Sequence, residues 1–299
     1  MDTGTLVREG KVKQVYDHGD SLLFEFTDRI SVFDKIIPSL VPDKGESLCR
    51  TSSHWFSVVS QTTNIGTHFI SMPERNKMVV KKYNVIERVA DPYRSNFLVP
   101  LEFVVRYYVA GSLLDKIKSG KVTKDELSMK SEPKHGDKLP DPYLELTTKF
   151  EKFDRKLTVE EACEISGLGR LELAEIQEDC LKIDRRIDSQ VSQRGLIHAD
   201  GKKEFAVDHE RRPVIVDTFG TADEDRFWEK SEYEEGKIVE LSKEYIRQYY
   251  RNSGYHKLLY DARNSGAAEP DIPPLPEDLV QSTSKLYREM FERLTGRKW

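Results

Sequence analysis

The hydrophobic pattern of the first forty residues predicts β-structure. Apolar and polar positions alternate over residues 6–37, as expected for strands that expose one face. Residues 17–20, with the sequence DHGD, supply turn chemistry between two strands. The second of these strands places Leu22, Phe24 and Phe26 on one face. We therefore predict an antiparallel hairpin in this segment.

The middle of the chain alternates between further predicted strands and one helix. Strands are predicted at residues 78–82, 85–86 and 103–109, the last rich in aromatic and β-branched side chains. A helix is predicted near residues 52–61. The polar stretch 116–142 contains several glycines and prolines, so we expect a surface excursion, with a short helix that begins near Thr123.

The second half carries the clearer helix signals. Thr158 and Glu161 have the spacing of a capping box, and a longer helix is predicted to end near Gly195. Strands are predicted at residues 196–207 and 213–217. Two more helices are predicted from apolar positions at helical spacing, one with Ile238, Leu241, Tyr245 and Tyr249, and one with Val280, Thr283, Tyr287, Met290 and Leu294. The mixture indicates an α+β fold.

Composition narrows the class of protein. The chain has 299 residues, 37% hydrophobic and 33% charged, which suits one large domain or two closely packed lobes. Its net charge of −5 argues against a general nucleic-acid binder. Three widely spaced cysteines fit neither a disulfide framework nor a zinc site. No apolar run reaches the length of a membrane span, and we expect a cytoplasmic protein.

Two basic constellations have candidate chemistry. In residues 10–13, with the sequence GKVK, strand alternation puts Lys11 and Lys13 on one face beside a glycine, which suits a polyphosphate, although solvated surface charges give the same pattern. The motif lacks the loops of P-loop and Rossmann proteins. Arg106 lies within an apolar strand that leads to Ser112, so it needs either a bound anion or a structural salt bridge.

Two acidic constellations complete the set. The segment 28–34, with the sequence DRISVFD, follows a hydrophobic strand and is followed by Lys44; a helix-capping role for Asp28 is the alternative. In residues 198–205, alternation puts Asp200, Lys202 and Glu204 on one face, and the next strand ends at Asp217. Carboxylates gathered in this way suit Mg²⁺ and nucleotide phosphates, with an acidic surface ladder as the alternative. Lys203 would face the core unless it snorkels.

Seven motifs in order give the chain a family resemblance. They are GKVKQVY, DRISVFD with the following KG, EFVVRYYVAGSL, ELTTKFE, GLIHADGKKEF, VDTFGTADEDRFW and PPLPEDLV. The chain resembles the phosphoribosylaminoimidazole-succinocarboxamide synthase (SAICAR synthetase) family from about Gly10 to Gly296. The resemblance implies two α+β lobes, loosely like kinase and ATP-grasp proteins. An antiparallel nucleotide-binding lobe would span residues 1–110, and a larger lobe with the metal and substrate site would span 111–299.

The resemblance also implies an activity. Such enzymes use ATP to phosphorylate the carboxylate of carboxyaminoimidazole ribonucleotide, and the amine of aspartate then displaces phosphate. Phosphoryl transfer depends on positioning and charge neutralisation, which fits lysines, arginines and Mg²⁺-binding acids. The implied partners are therefore small molecules, without nucleic acid or membrane, and a homo-oligomer remains open.

Matching the motifs residue by residue implies a set of roles. ATP contacts would come from Gly10, Lys11, Lys13, Val15, Lys81, Lys82, Glu204 and Asp217. Glu204 and Asp217 would also hold Mg²⁺. The reacting groups would be served by Lys202, Asp200 and Asp34. The ribonucleotide substrate would contact Asp34, Lys44, Arg106, Ser112, Lys202 and Arg226, with Arg106, Ser112 and Arg226 seating its 5′-phosphate.

Some positions depart from the family pattern. The family has D-T-K-F-E-F where this chain has DGKKEF at residues 200–205, and it has D-E-x-x-T-P-D-S-S-R where this chain has DTFGTADEDR at residues 217–226. Thr218 and Ala222 differ from the family there, and Glu224 and Asp225 replace two small hydroxyl residues before the arginine. Phe153 replaces a histidine. Negative charge beside a phosphate site is unfavourable unless those side chains point away, so a paralogue with another acceptor or amino acid, or an inactive nucleotide-binding homologue, remains an alternative.

Overall fold

The structure is a computed structural model that describes residues 4–151, 154–241 and 243–299. Phe153, a position singled out in the sequence, lies outside the described residues. The elements before residue 82 are β1 (Thr5–Glu9), β2 (Lys13–Asp17), β3 (Ser21–Phe26), β4 (Arg29–Val32), β5 (Lys35–Leu40), α1 (Lys44–Thr62), β6 (Gly66–Thr67), β7 (Phe69–Glu74) and β8 (Lys77–Lys81). Five of them form an antiparallel sheet in the order β1-β2-β3-β8-β7, while β4 and β5 pair separately.

A second, larger sheet is built around one long strand. The remaining elements are β9 (Asn84–Val85), β10 (Phe97–Leu98), β11 (Leu101–Tyr108), α2 (Gly111–Lys118), β12 (Lys138–Thr148), α3 (Val159–Ser166), α4 (Arg170–Val191), β13 (Leu196–Val207), β14 (Pro213–Val216), β15 (Asp225–Glu229), α5 (Lys230–Glu234), α6 (Glu244–Asn252), α7 (Tyr255–Ser265) and α8 (Glu277–Thr295). The central strand β13 pairs with β10, β11, β14 and β15, all antiparallel.

One continuous hydrophobic core supports both sheets. It includes Phe24 and Phe26 from the first sheet, Phe103 and Phe205 from the second, and Trp55 from α1. Burial of apolar surface on this scale is the main force that holds the two sheets together. The α+β architecture with two lobes agrees with the prediction. The lobe boundary at residue 110 remains a prediction; the first sheet ends at Lys81, and β11 pairs in the second sheet.

Most predicted elements are confirmed. The β-structure predicted over residues 6–37 corresponds to β1 to β5, and its hairpin around residues 17–20 is formed by β2 and β3. The strand predicted at 196–207 has the bounds of β13. The capping box is present, since Glu161 N donates to Thr158 Oγ1 at 3.2 Å and Thr158 N donates to Glu161 Oε2 at 2.9 Å. α1 begins eight residues before the predicted helix start at residue 52, where Asp28 Oδ1 accepts a hydrogen bond from Gly45 N at 3.0 Å.

One predicted helix is wrong, and another starts later than predicted. The segment after Thr123 forms turns, because Val122 and Leu127 bury their side chains beside Leu113 of α2. The helix predicted from Ile238 begins only at Glu244. Residues 238–240 are not helical, because Glu240 forms a β-bridge with Trp228 and Ile238 packs in the same cluster as that tryptophan.

Among the described residues, the helices α2, α5 and α7 had no predicted counterpart. No helix among the described residues has both the length and the apolar character needed to cross a membrane.

Candidate active site

Strand β13 places the predicted acidic and basic residues on one face. In its pairing with β11, Lys202 lies opposite Val104 and Asp200 lies opposite Arg106. In its pairing with β14, Glu204 lies opposite Val216, so Asp217 follows directly at the end of the neighbouring strand. Alternation along β13 therefore brings these side chains together, as the sequence predicted.

We call the group formed by Lys13, Glu102, Lys149, Lys202, Glu204, Asp217 and Glu224 the lysine–carboxylate cluster. Lys202 Nζ lies 2.9 Å from Glu102 Oε1, 3.1 Å from Glu204 Oε1 and 3.5 Å from Glu224 Oε2. Lys149 contacts the other carboxylate oxygen of Glu204. The cluster is an alternating array of positive and negative groups at the junction of the two lobes.

The cluster fixes the charge of its central members. Burial acts to raise the pKa of Glu204, but Lys202 and Lys149 outweigh it and the pKa is lowered far below its usual range. Burial acts to lower the pKa of Lys202, but Glu224, Glu204 and Glu102 together raise it well above its usual value. Lys202 is thus a permanent cation, suited to stabilise charge and unsuited to act as a base.

The first lobe reaches this cluster through Lys13. Lys13 Nζ contacts Asp217 and lies 4.6 Å from the centroid of the Phe24 ring. Asp217 has a φ of 60°, a left-handed conformation that is uncommon for residues other than glycine and that concentrates at functional sites. The contact shows that the end of β14 and the strand after Gly10 meet.

The other candidate nucleotide residues lie along the first sheet. Gly10 N donates to Lys13 O at 2.8 Å, and a Cβ on Gly10 would lie 2.9 Å from that oxygen, so the tight turn requires glycine. Lys11 Nζ lies 2.5 Å from Asp34 Oδ1, which brings two of the predicted constellations together. Val15 is buried in the core. Lys82 contacts Asp17, and Lys81 is exposed at the end of β8.

Two arginines form a second group on β11 and β15, the strands that flank β13, and we call Arg106 and Arg226 the arginine pair. Asp200 lies between them, with Oδ2 at 3.5 Å from Arg106 Nη1 and 3.3 Å from Arg226 Nε. Arg106 Nη2 also donates to Ser112 Oγ at 3.0 Å. The three residues assigned to a phosphate therefore lie together, with Ser112 bonded to Arg106, and Arg106 linked to Arg226 through Asp200. Burial acts to raise the pKa of Asp200, but Arg226 and Arg106 outweigh it and lower the pKa.

The start of α2 is shaped to admit Arg226. Gly111 has a φ of 52°, and a Cβ there would lie 2.4 Å from Arg226 Nη2. Glycine is required at this position both for the backbone conformation and for the space that the guanidinium occupies. The sequence AGS at residues 110–112 is therefore specific to this packing.

The acids that precede Arg226 point away from it. Glu224 faces Lys202, and Asp225 faces His198, with His198 Nε2 at 2.7 Å from Asp225 Oδ2. The carboxylates that contact Arg226 besides Asp200 are those of Glu240 and Glu244, at 3.3 Å and 3.4 Å. Glu224 and Asp225 therefore add no negative charge directly beside Arg226, as a phosphate site at this arginine requires.

Lys44 lies apart from these groups and is fully buried. Its Nζ lies 2.9 Å from Asp223 Oδ2, and Tyr287 of α8 donates to the same carboxylate at 2.5 Å. Asp34 is exposed in the β4–β5 turn, where Phe33 and Asp34 both have left-handed backbones with φ of 51° and 64°. The structure thus brings Asp34 to Lys11 and pairs Lys44 with Asp223.

Sequence reasoning missed several charged residues in these groups. Glu102 and Lys149 stand within motifs that were recognised, and Glu102 shares a strand face with Arg106, so strand alternation could have identified it. Glu145, which accepts from Arg106 at 3.2 Å, lies on the partner strand β12. Glu240 and Glu244 had no signal, because the segment that contains them was predicted to be a single helix.

The chain matches known proteins over nearly its whole length. The family model of SAICAR synthetase matches residues 6–261. A phosphoribosylaminoimidazole-succinocarboxamide synthase of Thermoplasma acidophilum is 58% identical over 98% of this chain and 99% of its own length. The counterpart of Schizosaccharomyces pombe is 32% identical over 99% of this chain and 95% of its own length.

Solved structures give the same result. A SAICAR synthase from Saccharomyces cerevisiae, complexed with SAICAR, has a TM-score of 0.76 and 26% identity, and covers 100% of this chain and 97% of its own. A SAICAR synthetase in complex with ADP has a TM-score of 0.70 and 25% identity, with 98% of each chain covered.

The fold is that of a two-lobed α+β enzyme whose second sheet carries the lysine–carboxylate cluster and the arginine pair around β13. The matches extend through both lobes and include every strand of the second sheet that carries the site. The chain belongs to the SAICAR synthetase family.

Proposed function

We infer that this protein joins L-aspartate to carboxyaminoimidazole ribonucleotide in purine biosynthesis, with ATP converted to ADP and phosphate and SAICAR as the product. The observation that carries this proposal is that one strand, β13, links the two groups: Lys202 and Glu204 belong to the lysine–carboxylate cluster, and Asp200 contacts both members of the arginine pair. Lys202 and Asp200 are two residues apart on the same face. A nucleotide held at the cluster and a ribonucleotide phosphate held at the arginine pair would therefore be neighbours.

The chemistry explains the residue types. A carboxylate at neutral pH resists attack by an amine, so one of its oxygens first attacks the γ-phosphorus of ATP, and ADP leaves. The amine of aspartate then attacks the acyl carbon, loses a proton, and expels phosphate. Both steps gather negative charge, which fixed cations stabilise. We assign this role to Lys202, because three carboxylates hold it in place and keep it protonated.

We propose that the first lobe binds ATP. Support comes from the turn at Gly10, from Lys13, which reaches the cluster, and from Lys11, which contacts Asp34. Val15 and Lys81 lie on the same sheet, and Lys82 directly follows its strand β8. A division into a nucleotide-binding lobe (1–110) and a substrate lobe (111–299) is consistent with this arrangement and is part of the proposal.

Mg²⁺ fits the donor set of the site. Glu204 is kept ionised, and Asp217 follows at the end of the adjacent strand, so two hard carboxylate donors are available, as Mg²⁺ prefers when phosphates supply the other ligands. Glu204 and Asp217 would hold the ion, which would neutralise charge on the nucleotide phosphates. Their present lysine partners, Lys149 and Lys13, would then be released toward the same phosphates.

The arginine pair is proposed to seat the 5′-phosphate of the ribonucleotide. Arg106, Ser112 and Arg226 supply guanidinium and hydroxyl donors from three different elements. Guanidinium groups match phosphate oxygens in geometry and remain charged at every physiological pH. Asp34, which contacts Lys11, is the remaining candidate for contact with the reacting groups, and Asp34 and Lys44 are the remaining candidates for contact with the substrate.

The test is ADP formation with Mg²⁺, ATP, carboxyaminoimidazole ribonucleotide and a panel of amino acids. We expect turnover with aspartate alone. Turnover with another amino acid or another azole carboxylate in place of these would show a paralogous ligase instead. Nucleotide binding without turnover on any pair would show an inactive homologue and would contradict the proposal.

A further inference from the structure

The reverse face of β13 carries fully buried charged side chains. His198 pairs with Asp225 of β15, and Lys203 pairs with Asp184 of α4; none of these four side chains is exposed to solvent. Tyr107 OH donates to Asp184 Oδ2 at 3.1 Å. We call these five residues the buried charge network. Lys203 alternates with Lys202 and Glu204 along β13 and therefore points to the opposite face. His198 shares that reverse face because the pairing of β13 with β15 shifts register between His198 and Asp200, so the network lies directly behind the site.

The network is internally balanced. Asp184, His198 and Asp225 offer ligand atoms that all lie within 4.8 Å of one another, but the ammonium group of Lys203 already provides a cation at Asp184. Burial acts to lower the pKa of His198, but its hydrogen bond to Asp225 and the charge of Asp184 outweigh it and raise the pKa. Two acids thus face two basic groups. This balance argues for a structural arrangement of charges and against a metal site.

Stability alone does not explain such a network. Charged groups lose hydration on burial, and well-packed apolar residues of similar volume are often at least as stabilising. Buried polar groups are retained in some proteins because they select one geometry among several. His198 and Asp225 are therefore expected to select one arrangement of the two strands that they join, β13 and β15.

The pair spans an irregularity between β13 and β15. His198 lies opposite Phe227, but the next aligned pair is Asp200 with Arg226, so Ala199 is an extra residue on β13. Such β-bulges redirect side chains and often lie beside active sites. The bond from His198 to Asp225 joins the two strands on either side of the bulge. It therefore holds the register in which Asp200 and Arg226 face each other.

Asp225 also holds the preceding loop. Its second oxygen, Oδ1, accepts a hydrogen bond from Gly220 N at 3.1 Å. The carboxylate of Asp225 thus joins the backbone of the loop that follows Asp217 to His198 of β13. Asp217 at one end belongs to the lysine–carboxylate cluster, and Arg226 at the other belongs to the arginine pair.

The backbone of β13 leaves space for this pair. A Cβ on Gly201 would lie 2.4 Å from Asp225 Oδ2 and 3.0 Å from His198 Nε2. Gly201 has no left-handed backbone that would by itself require glycine. Its role is to leave room for the carboxylate. Gly201 is therefore part of the same packing arrangement as His198 and Asp225. Positions 201 and 225 are both among those where the chain departs from the family pattern.

We propose that the His198–Asp225 pair positions Arg226 and Asp200 for substrate binding by locking the bulge at Ala199. The proposal rests on the assignment of Arg226 to the ribonucleotide phosphate. His198 and Asp225 face away from the site and are positioning residues, which act on substrate through Arg226 and Asp200.

The test uses a double variant, because removal of Asp225 alone would leave a buried cation without its partner. His198→Leu with Asp225→Ser removes both charges together. We expect a folded protein by circular dichroism, a KM for the ribonucleotide raised by about tenfold or more, and a KM for ATP within about twofold of the wild type, since misplaced binding groups weaken only their own ligand. Lys203→Met with Asp184→Asn is the matched control. It removes the other buried pair, and both KM values should stay within about twofold.

A parallel variant, Arg226→Lys, separates the two levels of the proposal. It should raise the KM for the ribonucleotide, because a lysine cannot reproduce the guanidinium geometry. If Arg226→Lys raises this KM and the folded double variant does not, the positioning role is overturned alone. If Arg226→Lys leaves the KM unchanged, the phosphate assignment fails and the positioning role fails with it. Unfolding of the double variant would assign the pair to stability and would also overturn the proposal.

Discussion

At the scale of single residues, the site is defined by the charged partners of each group. Lys202 is held by Glu102, Glu204 and Glu224, and Arg226 is held by Asp200, Glu240 and Glu244. Opposite charges fix both the protonation state and the position of such groups before substrate arrives. Preorganised cations of this kind are the main requirement of phosphoryl transfer.

Lys202→Ala tests the central cation. We expect kcat to fall by about 10²–10³-fold or more, because the variant loses a fixed charge at the position where negative charge develops. The protein should stay folded, since Lys149 still contacts Glu204. Steady-state ADP release and circular dichroism measure the two outcomes. Lys285→Ala, at an exposed lysine of α8, is the control, and near-normal activity of Lys202→Ala would exclude the assigned role.

Glu240→Gln tests the electrostatics around Arg226. Burial raises the pKa of Glu240 to about 7 against the pull of Arg226, with Glu244 adding to the rise. The native protein therefore holds a proton between about pH 4.5 and 7 that the unfolded chain has lost, and the wild type loses stability as the pH rises through this window. Glu240→Gln should remove this loss in the free energy of unfolding, which is on the order of 3 kcal/mol once the pH exceeds 7.

Urea unfolding at pH 5 and pH 8 measures this effect. The variant and the wild type should be similar in unfolding free energy at pH 5, and the variant should be more stable at pH 8. Glu235→Gln, at an exposed glutamate, should show no such difference. Equal pH dependence of Glu240→Gln and wild type would contradict the assigned pKa.

At the scale of elements, strand alternation was the most informative signal. It gave the bounds of β13 and placed Asp200, Lys202 and Glu204 on one face, as the structure confirms. Helical spacing failed around Ile238, because the Trp228 cluster holds that segment in a non-helical conformation. Contacts between distant segments outweigh local propensity in such cases, so Glu240 could not be placed from sequence.

Lys44→Ala tests a contact between elements. Lys44 begins α1, and its buried ion pair with Asp223 joins this helix to the loop before β15. Removal of one partner of a buried ion pair is expected to cost about 3 kcal/mol in unfolding free energy. Lys35→Ala removes a more exposed pair with Glu269 and should cost less than about 1 kcal/mol. A direct substrate role for Lys44 predicts instead a raised KM at unchanged stability, which urea unfolding and kinetics separate.

At the scale of the whole molecule, the two lobes meet through charged residues above a shared core. Lys13 of the first lobe contacts Asp217 of the second, and the apolar core continues beneath both sheets. The resemblance predicted the lobes and the grouping of the motifs. Strand alternation predicted that Lys203 faces the core, and its side chain is fully buried. The buried charge network could not be predicted, because no signal in the sequence indicated that Asp184 of α4 is the partner of Lys203.

The transfer of oxygen from the substrate carboxylate to phosphate tests most directly whether ATP activates that carboxylate. Carboxyaminoimidazole ribonucleotide labelled with ¹⁸O in its carboxylate is incubated with the protein, ATP, Mg²⁺ and aspartate, and the released phosphate is examined by mass spectrometry. Activation of the carboxylate by ATP predicts that each phosphate formed carries one oxygen from the labelled carboxylate. ADP formation with unlabelled phosphate would contradict it.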